Sequence, residues 1–544
     1  MKYICKYTPV ELLAGFDIKA ELLNPTAENH ELSSQHIHSN VCSFSHSLVR
    51  ERLKNCSDPI IITSCCDSIE RTGDVLKNLG QEVYVLNLPH HCDCCAKLLY
   101  QKELLKLIDS LSKTLNKSFD LKKFYNAFDS CPEDMTGQYV AVMGARVGSD
   151  LLSLIKSESP LPIRNNTCIG NRSVAKPPES SDLEELMTWY SDALLSQIPC
   201  SRMCDISKRR DLTEDPNLCG IIYNTVNFCD FYTLEYSKLK SALKIPILKI
   251  ETDYTMLATE QIRTRLGAFY ETLGVEPKQN KTKAAPTHTY YAGIDSGSTS
   301  TNAVIIDGKK NIVSFATVST GVKVAESARK ALDEALQKAG LEMKHISKIV
   351  ATGYGRERIS IKTRDVTEIT CHAKAAYFLN PSVRTIIDIG GQDSKVIRLD
   401  ENGNVIDFVM NDKCAAGTGR FIEMMAQSLQ LSLEEMSTYG LKWNEDIAIS
   451  SMCSVFAQSE VVSLIASDKK LEDIVHGINS SIASKVIALA KRGKLEREFM
   501  MTGGVARNIG IVRALEEKLD AAIIVPSEPD ICGALGAALI ASES

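Results

Sequence analysis

The chain predicts an α/β fold in two unlike halves, parallel sheets in the first and a duplicated hairpin unit in the second. Three observations carry this. Before residue 274, apolar strand-like runs alternate with segments of helical spacing, the pattern of strands joined by crossover helices. From Val275 to Thr289 the chain turns polar, with two prolines and no apolar period, as a linker does. After it, a strand closed by an Asp and followed by a Gly-rich turn occurs twice with one internal spacing.

Composition bounds the function. A chain of 544 residues has room for roughly three or four ordinary domains. Hydrophobic residues at 44% and charged residues at 24% are enough to build large cores. A net charge of −6 gives a nucleic-acid role no support. No apolar run approaches the roughly 20 residues that span a bilayer, so no membrane role is expected. Met1 to Cys5 shows no long apolar stretch of the secretory kind, and the expected location is the cytoplasm. Of 18 cysteines, 14 precede residue 285. In a cytoplasmic chain such usage favours metal or cluster ligation over disulfides.

In the first half, Pro59 to Thr63 reads as a buried strand ending at Cys65-Cys66-Asp67, and a helix then runs from Ser68 to Leu79 and stops at Gly80. Glu82 to Leu88 is the next strand, and Leu98 to Leu115 has helical spacing. Tyr139 to Met143 opens a second round, followed by a helix over Asp150 to Lys156 and strands at Gly220 to Asn224 and Ile245 to Ile250. The reading is two Rossmann-like parallel-sheet subdomains, 1–135 and 136–274. Ligands in such folds bind at the carboxyl ends of strands, and several cysteines sit there. Cys66 follows the Ile60 strand and Cys229 the Ile221 strand. Cys42 precedes a helix, while Cys168 and Cys200 lie in Asn166-Thr167-Cys168-Ile169-Gly170 and Ile198-Pro199-Cys200. By spacing alone this is no compact ferredoxin pattern; a cluster gathered from distant loops leaves only such a trace. The run His90-His91-Cys92-Asp93-Cys94-Cys95 offers zinc or extra cluster ligands. Adjacent ligands rarely close one tetrahedral site, and the run reads better as a loop.

With Tyr7-Thr8-Pro9-Val10-Glu11, Asn40-Val41-Cys42, Ser64-Cys65-Cys66-Asp67, Asn227-Phe228-Cys229-Asp230 and Ile250-Glu251-Thr252-Asp253-Tyr254 added in that order, residues 1 to about 273 resemble the D-component of 2-hydroxyacyl-CoA dehydratases. Benzoyl-CoA reductase subunits and double-cubane-cluster reductases share this module. The resemblance implies that Cys42, Cys66 and Cys229 ligate a [4Fe–4S] cluster. Cys168 and Cys200 match the double-cubane branch, where further thiolates hold a second cubane, with Cys56 as a sixth candidate. The chain departs from the dehydratases in having one such module instead of two different cluster subunits. The Cys65-Cys66 pair leaves open which thiolate is used.

In the second half, Tyr291 to Thr301 leads into Ala303 to Gly308 and a strand at Ile312 to Val318. Later Thr385 to Asp393 leads into Lys395 to Asp400, a turn at Asn402-Gly403 and a strand at Val405 to Met410. Each copy places a second Asp 12 residues after the first, Asp307 after Asp295 and Asp400 after Asp388. A tight Gly-rich turn exposes backbone N–H groups to phosphate oxygens, because no side chain blocks approach. The leading Asp can hold Mg²⁺ through water or position the attacking water. One such turn is a bare β-turn as easily as a site; two at equal spacing point to a nucleotide clamp. Its candidate residues are Asp295, Asp388 and Gln392 for catalysis, with Ser296, Gly297, Ser298, Thr299, Gly390 and Gly391 for phosphate. Gly503 and Gly504 join them from a third strand-to-helix turn after Phe499 to Thr502.

Two further segments, Asn411 to Phe421 and Ser450 to Phe456, each place a cysteine, Cys414 and Cys453, ahead of a helix. Helix N-termini suit anions, and a thiolate-held iron–sulfur cluster is one. Two cysteines are half of a four-thiolate shell, which a symmetric dimer completes; two buried apolar cysteines are the alternative. Asp295-Ser296-Gly297-Ser298-Thr299, Asp388-Ile389-Gly390-Gly391-Gln392-Asp393 and Thr502-Gly503-Gly504-Val505 resemble the phosphate and adenosine motifs of the actin, sugar-kinase and heat-shock-chaperone ATPases. Adding Ala351 to Arg356, Glu368 to Ala373 and the two cysteine segments, residues 290–544 look like the activase of 2-hydroxyacyl-CoA dehydratases and the benzoyl-CoA reductase ATPase family. That resemblance implies an actin-like fold of duplicated ribonuclease-H-like subdomains. It also implies a homodimer with one [4Fe–4S] cluster between subunits, held by Cys414 and Cys453 of each. Cys371 and Cys532 match no ligand.

The expected function is ATP-dependent, low-potential electron transfer. A ferredoxin or flavodoxin supplies the electron, the ATPase half drives it, and the first half reduces a small-molecule or acyl-CoA substrate. ATP, Mg²⁺, a [4Fe–4S] cluster and a second or double-cubane cluster in the first half are the implied cofactors. A double-cubane-type reductase of a small non-CoA substrate is one alternative. A non-redox sugar-kinase-like phosphotransferase or a regulatory ATPase is another.

Overall fold

The computed structural model describes residues 1–544 except 26–28, 55–57, 129–136, 171, 205–206, 256–258, 275–289, 412–414, 450–453, 494 and 544. The expected linker at 275–289, Cys56, and the two thiols Cys414 and Cys453 therefore lie outside the described residues. The chain divides into two compact units, Met1–Ile262 and Arg263–Ser544.

The first unit holds two four-stranded sheets. One comprises β1 (Lys2–Tyr3), β2 (Glu21–Leu22), β3 (Ile60–Thr63) and β4 (Val83–Leu86), in the order β2-β1-β3-β4. The other comprises β5 (Tyr139–Gly144), β6 (Ile163–Thr167), β7 (Leu218–Val226) and β8 (Ile247–Thr252), in the order β6-β5-β7-β8. Every pairing in both is parallel. The sequence shows the central strands β3, β5 and β7 because they are buried on both faces and read as unbroken apolar runs. It does not show β1, β2 or β6. The first two have two residues each, and β6 is Ile-Arg-Asn-Asn-Thr, polar and half-buried at an edge.

The second unit holds two five-stranded sheets of one topology. The first comprises β9 (Tyr290–Ser296), β10 (Ser300–Asp307), β11 (Ile312–Ser319), β12 (Ile346–Thr352) and β13 (Arg364–Asp365), ordered β11-β10-β9-β12-β13. The second comprises β14 (Thr385–Ile389), β15 (Ser394–Leu399), β16 (Val405–Asn411), β17 (Phe499–Thr502) and β18 (Ile523–Ile524), ordered β16-β15-β14-β17-β18. In both, a meander of three antiparallel strands is extended by two parallel ones. The repeat read from the sequence is thus a repeat of structure, the actin-like arrangement. Asp295 pairs with Asn302 and Asp388 with Lys395, so the two Asp residues occupy one register position in two copies.

The C-terminal helix Cys532–Glu543 lies on the first of these sheets. Its small residues allow this: a Cβ at Gly293 would strike the backbone of Ala534 and Ala538, and one at Gly536 the carbonyl of Cys371. Each wholly buried Ile of β14, Ile386, Ile387 and Ile389, contributes about 1.5–3 kcal/mol by leaving water.

Candidate nucleotide cleft and thiol cavity

Within the second unit, the ends of β9 and β14 and the turns after them face a cleft of about 670 Å³, inside the range of small-ligand sites. Gly297, Ser298 and Thr299 line it from the first hairpin, Gly390 and Gly391 from the second, and Gly503 and Gly504 from the turn after β17. The hairpin turns are closed by equivalent bonds, Gly297 N–H to the Ser300 carbonyl and Gly390 N–H to the Asp393 carbonyl, each 3.0 Å. Gly503 has φ +83°, and a Cβ there would sit 2.5 Å from the Ile389 carbonyl and 2.8 Å from Asp388 Oδ1. Only glycine lets this turn pass so close to the Asp.

Asp295 and Asp388 both line the cleft but sit in different fields. Burial, and then the negative charge of Asp388, push the Asp295 carboxyl up to about 7. Burial works the same way on Asp388, but His372 and Lys395 outweigh it and hold that carboxyl below its usual range. Lys395 Nζ lies 2.7 Å from Asp393, 3.1 Å from Glu368 and 3.3 Å from Asp388. Thr502 Oγ1 donates to Asp388 Oδ1 at 3.0 Å and lies 3.1 Å from His372 Nδ1. Burial also raises Glu368 to about 7. Acid–base roles separate where environments drive paired carboxyls apart. Here that leaves Asp388 ionised and Asp295 poised near neutrality.

Two of the expected residues stand apart from the lining. Ser296 is buried, and its hydroxyl shares a bond with Thr301 Oγ1 at 3.3 Å. Gln392 is exposed on its turn; the next residue, Asp393, points inward to Lys395. Lys395, Glu368, His372 and Tyr354 also line the cleft and are not among the candidate residues read from the sequence, although Tyr354, Glu368 and His372 lie in segments that carry the resemblance. Lys395 looks there like one polar position of an alternating strand, and Glu368 and His372 look like one face of a helix.

In the first unit, the carboxyl edges of both sheets open on one cavity of about 50 Å³. That is room for a few waters or an inorganic centre, far short of a nucleotide. Seven cysteines line it: Cys5, Cys42, Cys65, Cys66, Cys168, Cys200 and Cys229. Cys5 follows β1, Cys65 and Cys66 follow β3, Cys168 follows β6 and Cys229 follows β7. Cys42, Cys66 and Cys229 each immediately precede a helix, Ser43–Lys54, Asp67–Asn78 and Asp230–Ala242, where free N–H groups favour an anionic sulfur. A bond from Cys65 and the charge of Arg202 pull Cys66 down to about 6, against burial. Cys5 falls to about 6 for the same first reason, while burial takes Cys42 up to about 11.

Cys5 joins the five named from the sequence, and Cys65, left open there as the alternative to Cys66, lines the cavity beside it; the sixth candidate, Cys56, lies outside the described residues. Cys5 was illegible because its strand has two residues. Cys371 and Cys532 are buried in the second unit. In the His90–Cys95 run, Cys94 and Cys95 are exposed and Cys92 donates to the Leu195 carbonyl at 3.1 Å. His91 Nε2 lies 3.4 Å from Cys204. Among the described residues no three His, Cys, Asp or Glu converge on a single ion. A cubane makes a different demand, since each thiolate binds a separate iron. Among them too, no helix is long and apolar enough to cross a membrane.

Comparison with known proteins follows this division. The family model for the BadF/BadG/BcrA/BcrD ATPases matches residues 292–541. That for the 2-hydroxyglutaryl-CoA dehydratase D-component matches 5–134 and 139–273. The 2-hydroxyisocaproyl-CoA dehydratase activator of Clostridioides difficile is 46% identical over 252 residues, 46% of this chain and 94% of that protein. The activator of lactoyl-CoA dehydratase of Anaerotignum propionicum is 48% identical over 255 residues, 47% of this chain and 98% of that one. A solved structure of the Clostridium difficile 2-hydroxyisocaproyl-CoA dehydratase activator with bound ADPNP is 44% identical, at a TM-score of 0.45, over 47% of this chain and 94% of that chain.

Proposed function

We propose, from the premise that this chain belongs to the BadF/BadG/BcrA/BcrD ATPase family, that it is an ATP-driven electron-transfer enzyme with its own acceptor module. The observation that carries this reading is the cavity of seven cysteines in a chain that also holds a two-aspartate nucleotide cleft. The named relatives act as activators of acyl-CoA dehydratases.

The residues of the cavity fit an iron–sulfur centre. It offers more thiols than the four a cubane takes and two guanidinium groups, Arg146 and Arg202, with no competing carboxylate among the described residues. Cys42, Cys66 and Cys229 would hold a [4Fe–4S] cluster, with Cys168 and Cys200 as further ligands. When bound, such a cluster supplies one-electron chemistry at low potential. In the second unit, Cys414 and Cys453 would hold a cluster shared by two copies of the chain, and a ferredoxin or flavodoxin is the donor.

The chain's own residues divide the work in the cleft. Ser298 and Gly391 offer backbone N–H groups to phosphate, on turns shaped by the bonds of the Gly297, Gly390 and Gly503 N–H groups to the Ser300, Asp393 and Pro529 carbonyls. The carboxylates of Asp295, Asp388 and Asp393 fit a hydrated Mg²⁺ arriving with ATP. Asp295, poised near neutrality, takes a proton from the attacking water. Closure of the cleft around nucleotide is a hinge motion, and it couples hydrolysis to the electron step. The substrate is a small molecule or an acyl-CoA thioester.

Seven thiols, more than one cubane needs, favour the double-cubane variant of this reading and with it a small non-CoA substrate. Iron and acid-labile sulfide counted on anaerobically isolated full-length protein test both. About four irons per chain from the first unit fits one cubane and about eight fits two. Protein isolated without oxygen that holds no iron in this cavity sinks the proposal.

A further inference from the structure

Arg202 is a cation placed among thiols. Its Nη2 donates to Cys229 Sγ at 3.7 Å, and the guanidinium lies over the rings of Phe231 and Tyr232 at 5.7 and 5.4 Å. Its Nε is shut off from solvent and has no partner among the described residues. A charged donor left this way costs free energy unless negative charge lies close by. Among the described residues no Asp or Glu lines the cavity, so the sulfurs are the source of that charge on its walls. The second guanidinium, Arg146, also has a buried Nε without a partner among the described residues, but its two terminal nitrogens donate to neutral groups, the Ile4 carbonyl at 3.0 Å and Asn24 Oδ1 at 2.6 Å. Of these two guanidinium groups, Arg202 is the one that donates to a cysteine sulfur among the described residues.

We propose that Arg202 is the built-in counter-charge of the centre held by this cavity, a positioning residue that makes the centre easier to reduce. This rests on the cluster reading given above. The physical reason is that a fixed cation beside sulfur offsets the negative charge each added electron brings, and does so strongly where water is excluded. The aromatic rings hold the guanidinium in place, so the charge stays at the thiols in both redox states.

The test is a redox titration of anaerobic full-length protein, with iron and sulfide counts, on wild type, Arg202→Gln and Arg202→Lys. The expected result is a normal cluster content in Arg202→Gln with reduction at least tenfold less favourable, about 59 mV for one electron. Arg202→Lys, which keeps the charge, stays near wild type. A Gln variant with full iron content and an unchanged potential overturns the inference. Should the Gln variant fail to load iron, the Lys variant decides. Loading there assigns the effect to charge, and equal failure in both overturns the inference. Iron-free wild type removes the cluster reading itself, a separate and recognisable failure.

Discussion

The phenol of Tyr354 donates to Asp393 Oδ2 across 2.8 Å. Tyr354 follows β12 in the first sheet of the ATPase unit and Asp393 precedes β15 in the second, so this bond spans the nucleotide cleft. Asp393 passes the link on to Lys395 at 2.7 Å, and Lys395 meets Asp388 and Glu368. The two halves of the cleft are joined through a chain of charge-assisted contacts.

Removing that bond tests its place in the cycle. A hydrogen bond to a charged group contributes about 1.5–3 kcal/mol. Tyr354→Phe is expected to lower ATP turnover roughly 10- to 100-fold, with the overall fold intact by circular dichroism. Unchanged turnover would take the bond out of the reaction.

Lys395 faces three carboxylates with almost no exposure of its own. Lys395→Met leaves those charges uncompensated in the interior, a loss of about 3–5 kcal/mol. The variant should unfold at markedly lower denaturant concentration than wild type. The double variant Lys395→Met with Glu368→Gln should recover part of the loss, since it removes one of the stranded charges.

Asp295 makes stability and activity move oppositely with pH. Its carboxyl is raised from 3.8 to about 7 in the fold, so the folded state keeps its proton longer than the unfolded chain does. Its penalty is absent below pH 4, grows between pH 4 and 7, and is complete above 7. Asp295→Asn should therefore stabilise the nucleotide-free protein above pH 7 by about 1–4 kcal/mol while abolishing ATP hydrolysis. In wild type, kcat/KM for ATP should rise with pH through about 7, as Asp295 loses its proton and becomes a base. A flat profile from pH 6 to 8 would remove Asp295 as that base.

Cysteine replacements separate the cavity from the core. Cys42→Ser, Cys66→Ser and Cys229→Ser are each expected to lose iron from the first unit while nucleotide binding persists. Cys371→Ser, at a buried site in the second unit, should keep its iron and lose stability instead. Equal iron content across all four variants would discredit the cavity as the binding place.

Glu271 ties one helix end to another. It accepts from the N–H of Thr367 at 3.2 Å and from the hydroxyls of Thr367 and Thr370, at the start of the helix Glu368–Leu379 that carries Glu368 and His372 into the cleft. An acidic group at a helix N-terminus is favourable. Glu271→Ala should cost about 1–2 kcal/mol of stability by thermal melting and lower ATP turnover more than ATP affinity.

Much of the fold was legible because it is local. Buried parallel strands announce themselves as apolar runs, and the two Asp-Gly hairpins announce themselves as a repeat because register forces Asp295 and Asp388 to equivalent points of equivalent strands. Edge strands with two residues or polar composition carry no such signal, which hid β1, β2 and β6 and, with β1, Cys5.

The amino-acid order alone determined two α/β halves, a duplicated phosphate-type turn, and a chain whose cysteines crowd its first half. Which thiols share a cavity, and that Arg202 stands among them, only the tertiary structure decided. So too with Lys395, an ordinary strand residue until three carboxylates from separate elements close on it. Periodicity records which face of an element is buried. Convergence of side chains far apart in the chain depends on how whole sheets are packed, and no local pattern encodes that.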